Sequence, residues 1–150
     1  MRVRVQVIVE PDDNDDEHPP VVHEIGQIER HELAVDTLGL QLAEAKDLLQ
    51  QVQTVVIDEQ VRTCLAPQVA CSACGRARAH KDAKTIVVRT LFGTLHLHSP
   101  RWYHCSCQPH PTRTFSPLAA VLPERTTPEL LYLESKFAGL VSYGQSRVAG

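Results

Sequence analysis

Four cysteines in two close pairs are the residues best equipped for chemistry: Cys71 and Cys74 in CSACG, and Cys105 and Cys107 in HCSC. Two cysteines separated by two residues and followed by a glycine can turn both sulfurs toward one ion, with Gly75 supplying the backbone freedom the knuckle needs. The chemistry implied is a structural zinc centre, tetrahedral, with thiolate bonds of about 2.3 Å. Paired spacing within an odd total of five cysteines favours metal over disulfides in a reducing compartment. The second pair has a one-residue gap, shorter than the usual knuckle, so His104 or His110 stands as an alternative ligand to Cys105 or Cys107. Cys64 reads as an ordinary small apolar residue.

Other constellations are weaker. His96 and His98 in TLHLHS share one face of a strand, a geometry that also suits metal, but no nearby carboxylate completes a catalytic set, and solvent-facing or phosphate-contacting histidines are the stronger reading. The acidic run Asp12, Asp13, Asp15, Asp16 and Glu17 lacks the central glycine and the closing bidentate glutamate of a calcium loop, and reads as a solvated negative loop. No Gly-rich phosphate loop or nucleophile elbow is present, so no catalytic residue is assigned.

The net charge of −3 conceals a division. Residues 1–60 carry 14 acids and 4 bases, whereas residues 61–113 carry 8 bases and a single acid, Asp82. The basic excess coincides with the cysteines. Arg76, Arg78, Lys81 and Lys84 are expected on a loop leaving the first knuckle, with Arg89, Arg101 and Trp102 on the hairpin that follows. Cations interleaved with aromatic rings suit phosphate contact plus base stacking, so these seven residues form the candidate nucleic-acid surface.

The elements that must position these residues give an α+β fold. MRVRVQVIVE alternates with period two and predicts a strand, and VVHEIGQIER a second, bulged at Gly26, to form a hairpin. A helix is expected from Leu42 to Arg62, with Leu42, Ala45, Leu49, Val52, Val55, Val56 and Glu59 on one face, Glu44, Asp47, Gln50 and Gln51 outside, Glu44 near the cap at Gln41, and a break at Pro67. TIVVRTLF and TLHLHS are expected as strands joined at Gly93, closing the two knuckles into a zinc ribbon. Residues 109–123 read as loop anchored by Phe115, Leu118 and Leu122. A last helix starts at Pro128 and ends at Gly144, with Leu130, Leu133, Phe137, Leu140 and Val141 as its apolar face. The domain reading is therefore hairpin and helix at 1–66, ribbon at 67–113, and loop with a C-terminal helix at 114–150. No run of about 20 apolar residues appears. The alternating N-terminus is unlike a signal peptide, so the expected location is cytoplasmic.

HKDAKTIVVRTLFGTLHLHSPRWYHCSC, together with CSACGR, FSPLAAVLPERTTPELLYLESKFAGLVSYG, MRVRVQVIVEPDD and TLGLQLAEAKDLL, resembles the N-terminal region of bacterial insertion-sequence transposases of the ISKra group. The resemblance spans residues 1–144. It implies a part of a transposase whose zinc ribbon and following helices hold the element's terminal DNA, with full-length transposase or a second copy as further partners. The RNase H-like domain carrying three carboxylates and two magnesium ions in such enzymes is not matched. After residue 107 the acids are Glu124, Glu129 and Glu134, read as cap or helix-surface residues. QSRVAG departs from the family pattern, so the expectation is a truncated or frameshifted copy, with the last helix as half of a helix-turn-helix and no catalysis by this chain alone. The alternative of a different class is a free-standing interaction module built on the ribbon.

Overall fold

The computed structural model describes residues 1–11, 19–107 and 109–140. The acidic loop, Val141 and Gly144 lie outside them. The chain forms two compact units, Met1–Gln60 and Val61–Gly150. Residues 67–113 and those that follow thus share one unit. Its mixed hairpins and helices make it α+β.

In the first unit, β1 (Arg2–Val9) and β2 (Val21–Glu29) pair antiparallel from Arg2↔Glu29 to Val9↔Val21. The register shifts between Val5 and Gln6, whose partners are Gly26 and Glu24, so the bulged residue is Ile25 rather than Gly26. The extra residue turns Ile25 inward, where it is buried. Gly26 answers a different need: a Cβ there would stand 2.7 Å from Leu48 Cδ2, so the glycine is what lets the helix lie close to the hairpin.

Helix α1 runs Leu42–Leu65, with Pro67 inside the 3₁₀ turn Ala66–Gln68 that ends it. Its start is capped as expected: the Gln41 backbone N–H donates to Glu44 Oε2 at 2.9 Å. The expected inward face holds in part, since Ala45, Val52 and Val55 are half-buried, and is corrected for its other aliphatic members. Leu48 is half-buried over Gly26, while Leu42, Leu49 and Val56 are exposed. Glu44 also turns inward, because Arg30 Nη1 and Nη2 donate to its two carboxylate oxygens at 2.9 and 2.6 Å. That guanidinium holds the Glu44 carboxyl below its ordinary range.

The second unit is organised on β3 (His80–Thr90) and β4 (Gly93–Tyr103), an antiparallel ribbon. Leu91 and Phe92 form its two-residue turn, closed by Gly93 at φ 130° and by Thr90 Oγ1 donating to Gly93 O at 2.8 Å. Both strands are longer than the hydrophobic pattern indicates, and Lys81 and Lys84 stand on β3, not on a loop. A short β5 (Thr114–Phe115) adds to β4 through Trp102↔Phe115. Helices α2 (Pro117–Val121) and α3 (Pro128–Leu140) follow. Ile86, Val88 and Leu97 are buried on one face of the ribbon, Trp102 is buried near the end of β4, and Leu118 of α2 is buried with them. Ser99, 1% exposed, is satisfied by a 2.7 Å hydrogen bond to the Ser116 hydroxyl. The expected anchors hold in part: Leu118 is buried, Phe115 and Leu122 half-buried. On α3, Leu130 and Leu133 are half-buried, but Phe137 and Leu140 are exposed.

Candidate metal centre

The first knuckle is built by backbone bonds that reverse the chain around the cysteines. Gly75 N–H donates to Cys71 O and Cys71 N–H to Arg76 O, each at 2.8 Å, and Gly75 takes φ 71°. Ala70 bridges Ala77, and Arg78 N–H donates to Val69 O, so a narrow two-sided turn presents the sulfurs. The second turn is set by the end of β4. Tyr103 N–H donates to Ala79 O and His104 N–H to Arg113 O. The CSC segment therefore emerges beside the first knuckle.

The four sulfurs converge. Cys71 Sγ lies 3.5 Å from Cys107 Sγ, Cys74 Sγ lies 3.5 Å from Cys105 Sγ, and all four fall within 4.8 Å of one another. A tetrahedron with metal–sulfur bonds of about 2.3 Å has sulfur–sulfur edges of about 3.8 Å, which fits this spacing. The closest approaches link one knuckle to the other, so a single ion would tie both ends of the ribbon together. All five cysteines are free thiols.

The electrostatics suit a cation. Backbone N–H groups of Ala73 and Cys74 point at Cys71 Sγ and bring that thiol down to about 6. The Cys107 N–H does the same for Cys105, whose thiol is lowered. Cys107 itself is pushed up to about 12, because its S–H hydrogen-bonds to the sulfurs of Cys105, Cys71 and Cys74. The lowered Cys71 and Cys105 thiols favour the thiolate form, and a divalent ion would take the place of the proton that Cys107 shares with its neighbours. The donor set, all thiolate and tetrahedral, is one that soft metals occupy.

The histidine alternatives are not drawn in. His104 and His110 stack on each other, ring centroids 3.8 Å apart and 14° between planes. His104 Nε2 lies 3.3 Å from the Thr112 hydroxyl, its ring sits 4.7 Å from that of Phe115, and partial burial lowers its pKa. His96 and His98 lie exposed opposite Val87 and Thr85. Among the described residues the four cysteines are the one group of three or more metal-type side chains that converges. Cys64 is half-buried on α1.

The cations expected to meet nucleic acid divide into two kinds. Arg76, Lys81 and Lys84 are exposed. Arg78 is folded inward: Nη1 donates to Gln68 O at 2.9 Å and its guanidinium lies 4.9 Å from the Phe115 ring centre. Arg101 forms a two-pronged ion pair with Asp82, and Arg89 Nη2 meets Glu134 at 2.5 Å. Trp102 is 7% exposed and packs against Phe115, so burial withdraws its ring from the stacking role that the sequence suggested. Sequence reading missed Arg113, which is exposed and stands over the Tyr103 ring at 5.5 Å. The signal was the adjacent cation in TRTF, after the second cysteine pair.

Comparison with family models, curated proteins and solved structures returns no match. The described helices include none long and apolar enough to cross a membrane.

Proposed function

We propose that this chain is a DNA-holding zinc ribbon, the terminal-DNA-binding portion of an insertion-sequence transposase of the ISKra type. The observation that carries the reading is the convergence of Cys71, Cys74, Cys105 and Cys107 at the end of the ribbon that bears the exposed Arg76, Lys81 and Arg113. Zinc there would fix the two knuckles and so hold flexible cations at set spacings, where they meet successive phosphates. Lys84 extends the basic surface along β3. The resemblance of residues 1–144 to the transposase group supplies the DNA partner. No set of carboxylates for strand transfer is assigned to this chain, and the cutting chemistry belongs to a domain of the full-length enzyme.

The test is a titration of duplex DNA carrying element ends at several salt concentrations, with and without chelation. Four phosphate contacts give a log–log salt slope of about −3.6, at about 0.9 per contact. Binding that is metal-dependent with a slope near that value supports the reading. Absence of binding by metal-loaded protein rejects it in favour of an interaction module, a second reading favoured by the exposed leucines of the first unit.

A further inference from the structure

The first unit is short of core. Among its described residues Ile25 is the single hydrophobic side chain that is fully buried, and α1 fully buries none of its 24 residues. A helix of that length in a small domain takes its stability from packing an apolar face. Yet between residues 33 and 56 seven large aliphatic side chains are exposed. Three of them lie on α1 at seven-residue spacing: Leu42, Leu49 and Val56, at 78%, 45% and 46% exposure. Ala45 and Val52, each three residues after a leucine of that series, are half-buried beside Leu48 and border the exposed row. Seven-residue repeats offset by three keep one seam facing a partner helix when two helices supercoil.

We propose that α1 pairs antiparallel with α1 of a second copy of this chain through this seam. The seam matches its own reverse. About a two-fold axis beside Leu49 and Val52, Leu49 meets Val52 of the other copy, Ala45 meets Val56, and Leu42 meets the methylenes of Glu59. Larger side chains thus oppose smaller ones, and the patch is complementary to itself, as an isologous contact requires. A parallel pair would instead oppose Ala45 to Ala45 and Glu59 to Glu59, leaving a gap in one layer and like charges in another.

Charge rules out nucleic acid as the occupant, since residues 1–60 carry 14 acids against 4 bases. A 24-residue helix is about 36 Å long, and a strip roughly 10 Å wide on each copy covers on the order of 700 Å² in total. That is below the roughly 1,200 Å² of a stable interface, so the pair is weak and concentration-dependent unless the exposed Leu38 and Leu40 join it. The inference does not rest on DNA binding. Self-association of an acidic apolar surface strengthens as salt rises, whereas phosphate contact weakens.

The experiment is sedimentation of the full, metal-loaded chain over a wide concentration range at low and high salt, without DNA. A mass rising from one chain toward two, more readily at high salt, supports the pairing. A single-chain mass throughout overturns it. Leu49→Glu should abolish the rise while helix content and metal stoichiometry stay unchanged, and a dimer that survives Leu49→Glu overturns the seam. Should that variant lose helix, orientation is read by oxidation on an otherwise intact seam, in a Cys64→Ser background. Leu42→Cys with Glu59→Cys should cross-link two chains, and Leu42→Cys alone should not. A homotypic cross-link through residue 42 overturns the antiparallel register.

Discussion

Removing the metal should melt one end of the ribbon and spare the other. The knuckles contain little that holds them without an ion: among their described residues only Cys71 is buried, and their backbone is tied by a few turn bonds and the Ala70↔Ala77 bridge. Apparent free energies for structural zinc are about 10–16 kcal/mol, comparable with the whole stability of a small domain, and here that contribution falls on residues 70–79 and 103–113. The turn end of the ribbon has its own support. Ile86, Val88, Leu97 and Leu118 are buried there, each contributing about 1.5–3 kcal/mol. Amide hydrogen exchange before and after chelation separates the two ends. Protection at Cys71, Gly75, Arg78 and His104 should fall to that of unstructured peptide, while Ile86 and Leu97 change by about ten-fold or less. Uniform loss across residues 71–113 would show that the metal is the core of the whole unit. Retained protection at Gly75 and His104 would show that the knuckles stand without it. Either outcome refutes the division drawn from burial.

Three further outcomes follow from particular contacts. Gly26→Val should destabilise the first unit by about 1–3 kcal/mol in urea unfolding, because its side chain collides with Leu48, and Gly26→Ala by less, since the Leu48 tip can turn away. Asp82 is depressed by its Arg101 hydrogen bonds, so the stability it contributes is fully present above the ordinary carboxylate range and lost as pH falls through its lowered value; acid unfolding of Asp82→Asn should lack that component. Replacing Lys84 or Arg76 with alanine should reduce the DNA salt slope by about 0.9 each across all sequences, whereas Trp102→Ala should lower thermal stability through the core, by about 3–5 kcal/mol.

The cysteine cluster was legible because its signal is local. Spacing and a following glycine specify a knuckle without reference to the rest of the chain, and the convergence of CSC with CSACG required only that two strands lie between them. Facing was harder to read. Leu48 and Leu49 are adjacent, both fit a helical period, and the choice between them depends on Gly26, more than twenty residues earlier. The stretch HKDAK read as loop because an edge strand carries charge on exposed positions and so loses the alternation that marks a strand. Trp102 beside Arg101 looked like a ligand-binding pair, but Arg101 belongs to Asp82, the one acid in residues 61–113. That isolated acid was itself a readable sign, since a lone carboxylate amid eight cations is placed to be an internal partner.

The two-residue turn at Leu91 and Phe92 gives the ribbon an order of assembly. Closing so short a loop costs little entropy, and each rung from Thr90↔Gly93 outward brings the next pair within reach. Strand pairing can therefore proceed like a zipper from the tip, delivering Cys71 and Cys107, 36 positions apart in the chain, to the same place. A metal ion held by the four sulfurs would then bind last. It would act as a latch on a ribbon already paired, and sequence changes at the tip would alter how fast the latch is reached without altering what it holds.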